Sequence, residues 1–518
     1  MNTYPVSFLL DDALEQAIAN PTASHRWCTL AALYAQETDS NQQAQIRSAL
    51  TTHIRIHGAA GFFYAMFMAD VTKDVQYSAL AGQLLQEMEP FDVDRVMAFA
   101  VHKWARQVIG EGSRSQMVDA LRAAKLPTSM QRIGVALPLP SRQPACGDAP
   151  VRTVAIVTPF ISGLTHTPTV LVLQHARLLT DLGIAVQIFS AQELRVSHMA
   201  DYLGNGNQLV SDAPDLDALG RLLPDGAALT ICDDRFSVMR RCKDVLLKVA
   251  AFDPDMVLFV GLFSPLMVPL HAAWPVLGLC LHAVPPMAPV DAWLTADAAR
   301  ANGHSESWGS DIPPAWGIYY PFRIQLKPVS HPVTRVDLGL TAEQVVLISA
   351  GWRLPNEIAG QWAAAMLTLL QNNQNVTWLL VGGSGTLPPA LHGISEPQIR
   401  LLSHQADLRS VLRCTDIYVN PQRMGGGFSV AEAMAEGLAV VALANADGGD
   451  KLGAAASPTL DAYFEQLQLL IDDAERRALL GATLKTRFDT SLDLDQAGPA
   501  LLAACNTTLQ RFQRRLAL

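Results

Sequence analysis

The residues best suited to chemistry lie between positions 345 and 445 of the chain. Three consecutive glycines, Gly425–Gly427, stand directly before a predicted helix, Ser429–Glu436. The backbone N–H groups and the positive terminus of such a helix favour an anionic ligand. Arg353 follows a predicted buried strand, and a guanidinium can pair with two phosphate oxygens at once. Together these residues predict a site for a phosphate-bearing ligand.

Glu432 and Arg353 each have two interpretations. The Glu432 carboxylate can accept hydrogen bonds from two hydroxyl groups, as those of a ribose. Because Ser429-x-x-Glu432 also has the form of a capping box, the same carboxylate could instead reach back to the helix N-terminus. Arg353 could likewise pair with Glu357 one helical turn further along. Both pairs of interpretations stay open, and ligand binding is preferred for each residue.

These residues follow short strands of a predicted parallel sheet. Three β-branched and leucine-rich runs each precede a glycine-bearing or polar loop and then a helical pattern: Val345–Ser349, Thr377–Val381 and Ile417–Asn420. This alternation is typical of a parallel α/β sheet. Ligands of such sheets bind beyond the carboxyl ends of the strands, which is where the glycines and Arg353 are expected.

Several motifs of this region follow one another in a fixed order. They are Gly351-x-Arg353-Leu354, Val381-Gly382-Gly383-x-Gly385, a turn at Ser403–Gln405, and Gly427-Phe428-Ser429-x-x-Glu432-Ala433-Met434-Ala435-x-Gly437. The series resembles the C-terminal domain of GT-B glycosyltransferases, especially the large retaining group that includes glycogen and sucrose synthases. The resemblance implies an α/β fold with two Rossmann-like domains facing a cleft. It also implies a nucleotide-activated sugar donor, UDP-linked, with no cofactor and no metal.

The resemblance further implies roles for individual residues. Arg353 would contact the donor diphosphate, the glycine-rich turn would supply backbone donors to it, and Glu432 would hold the ribose hydroxyls. The implied donor-binding set is Arg353, Gly383, Ser403, His404, Arg423, Gly425, Gly426, Gly427, Phe428, Ser429 and Glu432.

The chain departs from the family pattern at two positions. Met424 stands where the family usually has a second Glu, and Ile358 stands where it has a Lys. The first change removes a carboxylate expected near the transferred sugar, and the second removes a positive charge from the leaving diphosphate. Arg423 or Lys451 could supply that charge. The losses also leave a rival function open, that of a catalytically silent GT-B subunit serving as a scaffold or chaperone.

Residues 151–325 are predicted to form the acceptor domain. A strand, a helix and a second strand follow one another as in the first unit of a GT-B acceptor domain: Thr153–Thr158, Thr169–Leu182 and Ala185–Phe189. Further strands are predicted at Ala228–Cys232, Met256–Val260, Val276–Leu281 and Ala292–Leu294. Gly317–Leu326 would lead into the donor domain, residues 326–495. The resemblance implies that the last helix, Pro499–Leu516, crosses back.

Three residues of the acceptor domain are candidates for the chemistry of transfer. By resemblance, His282, at the end of an apolar strand, would contact the donor sugar; its alternative is a core histidine. If the transfer inverts the configuration of the sugar, His166 or Asp291 would be the general base. If it retains the configuration, the leaving diphosphate would be stabilised by positive charge and backbone donors. Asp233-Asp234 is interpreted as a solvated turn rather than a metal site.

Residues 1–135 carry helical patterns without strand-like alternation. The patterns lie at Asp11–Ala19, Trp27–Gln36, Gln42–His53, Gln76–Glu87 and Asp92–Val108. We expect a separate helical domain, joined by a proline-rich linker at 136–150, whose removal leaves the cleft intact. Phe62–Tyr64 would form either a docking surface or part of a core. The arrangement is similar to that of bacterial cytoplasmic adhesin N-glycosyltransferases, which makes a protein the first candidate for the acceptor.

Whole-chain composition limits the remaining function classes. The formal charge of −10 argues against nucleic acid as the main partner. The 7 cysteines form no CxxC pair, which is typical of reduced thiols in a cytoplasmic compartment. Six prolines interrupt the apolar segment 256–290, so no membrane span is expected there. The sequence therefore predicts a cytoplasmic, bacterial-type glycosyltransferase with a macromolecular acceptor. A polysaccharide or lipopolysaccharide acceptor is the enzymatic alternative.

Overall fold

The computed structural model describes residues 4–53, 58–109, 114–140, 150–164, 166–196, 214–282, 284–305, 308–322, 324–382, 387–392, 398–423 and 425–517. Within these ranges the chain forms a helical segment followed by two parallel sheets. None of the helices in these ranges is long and apolar enough to cross a membrane.

Eight helices, α1–α8, precede the first strand of the described chain. Their bounds are Val6–Ala19, Ser24–Tyr34, Ser40–His53, Gly58–Thr72, Val75–Gln86, Val93–Ile109, Arg114–Ala123 and Leu126–Val135. The five helical patterns of the sequence are confirmed, whereas α4, α7 and α8 are not predicted by them. Residues 61–70 of α4 are all buried, so this helix lacks the polar face that gives an amphipathic helix its recognisable period.

The first sheet contains seven strands, β1–β7, in the order β3-β2-β1-β4-β5-β6-β7. They span Thr153–Thr158, Ala185–Ser190, Ala228–Ile231, Met256–Val260, Val276–Leu279, Ala292–Thr295 and Trp316–Tyr319. Between them lie helices α9 to α12 at Thr167–Asp181, Leu216–Gly220, Val238–Phe252 and Met267–Ala273. All neighbouring strands are parallel. The chain changes direction along the sheet between β1 and β4, which makes the carboxyl ends of these two strands the expected ligand position.

The second sheet contains five parallel strands, β8–β12, in the order β10-β9-β8-β11-β12. They span Val345–Ala350, Val376–Val381, Ile399–Leu402, Ile417–Val419 and Ala439–Val441. Helices α13 to α19 span Leu354–Glu357, Gly360–Asn372, Leu408–Leu412, Gly427–Ala435, Asp447–Leu452, Leu460–Asp472 and Ala474–Ser491. Here the chain changes direction between β8 and β11, so the loops after these two strands meet at one point.

The helical segment shares its core with the first sheet. Along β1, Ala155 and Val157 belong to the same buried cluster as Trp27, Phe62 and many other residues of α1–α8. The alternate residues of β1 face a second cluster formed with α9, because side chains of a strand alternate between the two faces. The helical region predicted ahead of the first sheet is present, and its core is continuous with one face of that sheet. Its aromatic run is also core, since Phe62, Phe63 and Tyr64 are buried.

Two segments connect the sheets, and they pair with each other. The chain leaves the first sheet after β7 and returns after α19, where Leu494 N–H donates to the Ile324 carbonyl at 2.9 Å. The last helix, α20 (Gly498–Leu516), then packs against the first sheet through Leu501, Ala504 and Cys505. The C-terminal helix thus lies against the first sheet, although the chain reaches it from the second sheet.

Candidate functional site

The first half of the candidate site lies where β8 and β11 end. Arg353 follows β8, and the loop from Asn420 to Gly427 follows β11 and leads into α16. These are the neighbouring central strands between which the chain changes direction, so the structure brings together the glycines and the arginine that the sequence singled out.

Two arginines share one buried carboxylate in this half. Arg353 Nη2 lies 3.0 Å from Glu357 Oε1, and Arg423 Nη1 donates to Glu357 Oε2 at 2.8 Å. Arg423 is held further by Asn420 Oδ1 at 2.9 Å and by the Ala350 carbonyl at 3.0 Å. Its side chain is 3% exposed, whereas that of Arg353 is 17% exposed. The buried Arg423 therefore holds Glu357 and the neighbouring loop in place, and Arg353 is the arginine that a ligand can reach.

The glycines leave room for these guanidinium groups. A Cβ on Gly425 would lie 2.5 Å from Arg353 Nη2, and one on Gly426 would lie 2.5 Å from Arg423 Nη2. Gly426 also has a φ of +89°, in the left-handed region that residues other than glycine rarely adopt. Gly425 and Gly426 thus leave space for two guanidinium groups, in addition to exposing backbone N–H groups at the start of α16.

The structure excludes the capping box as an explanation for Glu432. The helix α16 begins at Gly427, so Ser429 already lies inside it and its Oγ donates to the Gly426 carbonyl at 3.1 Å. Among the described residues, nothing donates a hydrogen bond to the Glu432 carboxylate, and the neighbouring Arg409 is bonded to Glu436. Burial raises the pKa of Glu432 to about 7, although Arg409 and Lys327 oppose the shift. A half-buried carboxylate without a donor is suited to hold ligand hydroxyls.

Other members of the predicted donor set occupy the rim or fall outside the described residues. Ser403 and His404 are exposed after β10, at the same carboxyl edge. Phe428, in the first turn of α16, packs against the cores of both sheets. Gly383 and Met424 lie outside the described residues, so their predicted roles stay predictions.

The second half is a partly open pocket beyond the ends of β1 and β4, with about 510 Å³ of space when its solvent-filled mouth is included. Phe160, after β1, and Phe263, after β4, contribute to its walls, and His166 and His282 also line it. Both histidines thus lie at the switch point of the first sheet, and the roles predicted for them stay predictions. Because the pocket is mostly apolar, burial lowers the pKa of His166 to about 4, so its ring is neutral at pH 7. His166 Nδ1 lies 2.8 Å from Thr169 Oγ1, which also accepts from Ser162 N–H at 3.0 Å.

The structure does not bring Asp291 to this pocket. Asp291 directly precedes β6 and therefore lies at the amino edge of the sheet, opposite to the pocket. Its carboxylate accepts from Arg515 Nε at 2.8 Å and from Val276 N–H at 2.9 Å. His271, whose Nε2 lies 3.5 Å from Asp291 Oδ1, and Arg515 together hold the pKa of Asp291 below the usual range despite burial. This arrangement joins α20 to the sheet and leaves Asp291 no contact with the pocket.

The predicted solvated turn at Asp233 and Asp234 agrees with its contacts. Asp233 pairs with Arg235, and Asp234 pairs with Arg195 at 3.0 Å. Within the described part of the chain, no group of three or more acidic, histidine or cysteine side chains is placed to hold a metal ion.

Three residues near the two halves were not found by sequence reasoning. Trp104 of α6 reaches the pocket from the helical segment and donates to His282 Nε2 at 2.9 Å. Glu193 is fully buried beside the pocket residue Leu194 and accepts from Ser264 Oγ at 2.8 Å. Trp352 is 52% exposed beside Arg353 at the end of β8. Only Trp352 adjoins a predicted motif, so only it could have been found from spacing.

Two parallel sheets of this kind, with their sites at the switch points, define the GT-B fold. Residues 343–473 match the family model described as "Glycosyl transferases group 1", which confirms the resemblance drawn from the motifs. The match contains the arginine pair, the glycines and Glu432. No curated protein sequence gave a significant match to the chain.

Solved structures of glycosyltransferases align with the chain at low sequence identity. A variant O-GlcNAc transferase from Thermobaculum terrenum aligns at 11% identity over 99% of this chain and 100% of that chain, with a TM-score of 0.59. A glycosyltransferase from Rickettsia africae aligns at 11% identity over 70% and 98% of the two chains, with a TM-score of 0.45. WaaG, a glycosyltransferase involved in lipopolysaccharide biosynthesis, aligns at 13% identity over 68% and 98%, with a TM-score of 0.39. The first alignment includes the helical segment, so the whole architecture has a counterpart.

Proposed function

We propose that the protein is a glycosyltransferase that moves a sugar from a UDP-linked donor to a macromolecular acceptor, with a protein as the first candidate. The observation that carries the proposal is the arrangement of Arg353, Gly425–Gly427 and Glu432 around the start of α16. It combines a phosphate-binding half and a hydroxyl-binding half at the switch point of one sheet.

The charges of this arrangement suit a diphosphate. Arg353 and Arg423 share the single carboxylate of Glu357, so this group of three carries a net positive charge. The N-terminus of α16 adds the positive end of a helix dipole and backbone N–H groups. A leaving diphosphate gains negative charge as the bond to the sugar breaks, and fixed positive groups stabilise that charge in the transition state. The cation lost at Ile358 is thereby offset by the buried Arg423.

Glu432 is proposed to hold the ribose. Its carboxylate receives no hydrogen bond from the described residues, and burial alone makes ionisation costly. Two hydroxyl groups of a ribose would supply the missing donors, and each charged hydrogen bond contributes about 1.5–3 kcal/mol. A raised pKa of Glu432 is therefore expected when no ligand is bound, if the site is built to receive two hydroxyl hydrogen-bond donors.

The histidine pocket is proposed to receive the acceptor next to the transferred sugar. An inverting transfer would use neutral His166 as the base, but the burial that lowers its pKa to about 4 also opposes the imidazolium that a base becomes. A retaining transfer would rely on the leaving diphosphate itself, stabilised by Arg353 and α16. The apolar environment of His166 therefore favours a retaining transfer.

The architecture supports a protein acceptor. The alignment with the O-GlcNAc transferase extends over the helical segment, which in this chain covers one face of the acceptor-side sheet and lines its pocket. This support is an analogy of fold. A cytoplasmic site of action is also proposed, because the described cysteines are free thiols.

Calorimetry with UDP, GDP and TDP tests the donor site directly. We expect UDP to bind most tightly to the wild type and Glu432→Gln to weaken it, whereas Glu465→Gln, an exposed change on α18, leaves affinity unchanged. A catalytically silent subunit has no need to bind any of the three, so absence of binding by all three would refute the proposal. Mass spectrometry of candidate proteins co-expressed with the chain tests the acceptor, and sugar found only on glycan or lipopolysaccharide would replace the protein acceptor.

A further inference from the structure

The helical segment contributes one side chain to the acceptor-side pocket. Among the described residues that line this pocket, Trp104 comes from α6, and the others come from strands and loops of the first sheet and, in the case of Pro168, from the first turn of α9. Its Nε1–H donates to His282 Nε2 at 2.9 Å, across 178 positions of sequence. The two rings meet edge to face, with 6.0 Å between their centroids and 66° between their planes.

This bond determines how the His282 ring can act. The indole nitrogen of Trp has a hydrogen to give and no lone pair to accept one. His282 Nε2 must therefore be the acceptor, and the neutral ring then carries its proton on Nδ1. An imidazolium has no acceptor nitrogen, so it cannot keep the bond. As held by Trp104, His282 is a hydrogen-bond donor through Nδ1 and is not available as a base through Nε2.

We propose that Trp104 is a positioning residue for glycosyl transfer, which sets the tautomer and the orientation of His282 and so makes the helical segment part of the active site. The inference rests on the proposed function, since it assigns His282 to a donated hydrogen bond to an oxygen of the sugar or acceptor. It explains why an indole, which combines a flat apolar body with one N–H, occupies a half-buried position in a mostly apolar pocket.

The first test measures the tautomer and does not depend on activity. In protein labelled with ¹⁵N-histidine, the His282 signal is identified by its loss in His282→Asn. We expect a protonated Nδ1 and a bare Nε2 in the wild type, and a shift towards a protonated Nε2 in Trp104→Phe, which keeps the aromatic packing. Trp308→Phe is the matched control, because it removes a buried indole bond to the Pro285 carbonyl nearby. An unchanged His282 signal in Trp104→Phe would overturn the proposal.

The second test measures transfer. Trp104→Phe should lower kcat about tenfold, the effect of one hydrogen bond, with little change in UDP affinity. Trp308→Phe should leave kcat near the wild-type value. In the His282→Asn background, where the amide keeps a donor near the place of Nδ1, Trp104→Phe should have no further effect. A changed tautomer with unchanged kcat would refute the positioning role. A wild type without transfer to any acceptor would refute the proposed function instead, while the tautomer measurement still decides whether Trp104 controls His282.

Discussion

The pH dependence of nucleotide binding offers the sharpest test of Glu432. Burial raises the pKa of this carboxyl group from 4.5 to about 7 in the protein without ligand. Ribose hydroxyls donate hydrogen bonds to the ionised carboxylate, so binding requires the group to lose its proton. Affinity for UDP should therefore increase as the pH rises through 7, and binding should release protons near and below this pH.

The size of the effect follows from the ionised fraction. With a pKa near 7, roughly one Glu432 in eleven is ionised at pH 6, and roughly ten in eleven are ionised at pH 8. The population able to bind changes about tenfold, which corresponds to about 1.4 kcal/mol of binding free energy. Glu432→Gln cannot titrate, so its affinity should lose this tenfold dependence and fall below that of the wild type chiefly at pH 8.

The assay is titration calorimetry with UDP at pH 6, 7 and 8, in two buffers of different ionisation enthalpy to count released protons. Protonation of the UDP phosphate itself affects wild type and variant equally, so the difference between them isolates Glu432. The same pH dependence in both proteins would refute the assignment of the ribose to Glu432. A loss of thermal stability in the variant with unchanged affinity would assign the residue a structural role.

Four further outcomes are expected. Gly426→Ala should lower both stability and UDP affinity, by about 1–3 kcal/mol in unfolding free energy, because it forces a side chain into positive φ and against Arg423. Burial raises the pKa of Glu193 from 4.5 to about 7, so its stabilising contribution is complete below pH 4.5 and is lost as the pH rises through 7. Glu193→Gln should therefore be more stable than wild type above pH 7, by up to about 3 kcal/mol, and lose this advantage below pH 4.5. A chain starting at Pro140 should aggregate, since it exposes the sheet face that α1–α8 cover. Transfer should persist after EDTA, because Arg353 and α16 are proposed to carry the diphosphate charge.

Each of these outcomes has a clear contrary result. Denaturation midpoints of Gly426→Ala equal to wild type would show that the loop has room for a methyl group. A constant stability difference for Glu193→Gln between pH 4 and pH 8, followed by urea unfolding, would mean that the group does not titrate in the folded protein. A soluble, monomeric chain from Pro140 with normal circular dichroism would show that the two sheets fold without the helical segment, which would then be a separate domain. Loss of transfer in EDTA, with recovery on adding Mn²⁺ or Mg²⁺, would show a metal requirement.

The sequence predicted the sheets well, because local patterns specify them. The strands β1 and β4 begin and end at the predicted residues, since each is a short apolar run bounded by polar or turn residues. The strands β7, β10 and β12 were missed. β7 is a four-residue strand that overlaps the predicted connector Gly317–Leu326, β12 is three residues long, and β10 is half-exposed and contains Arg400. The positions of the two switch points depend on the strand order, which only the structure shows.

The parts that escaped prediction depend on contacts between distant residues. Nothing near Trp104 in sequence indicates that its N–H meets His282, and nothing near Asp291 indicates that Arg515 neutralises it. The shared core of the helical segment was hidden for the same reason, since a buried helix face does not reveal which sheet covers it. The capping box does not form because α16 begins at Gly427 and not at the predicted Ser429.

The return of α20 to the first sheet has a consequence for how the protein is made. The second sheet is continuous in sequence, whereas the core of the first sheet lacks Leu501, Ala504 and Cys505 until α20 has been translated. Domains fold as units during synthesis. The second sheet can therefore fold while the chain is still on the ribosome. In arrested chains that end near residue 495, the residues of the second sheet should resist protease before residues 151–322 do. Protection in the reverse order would contradict this sequence of events, in which the first sheet is synthesised before the second sheet but is completed after it.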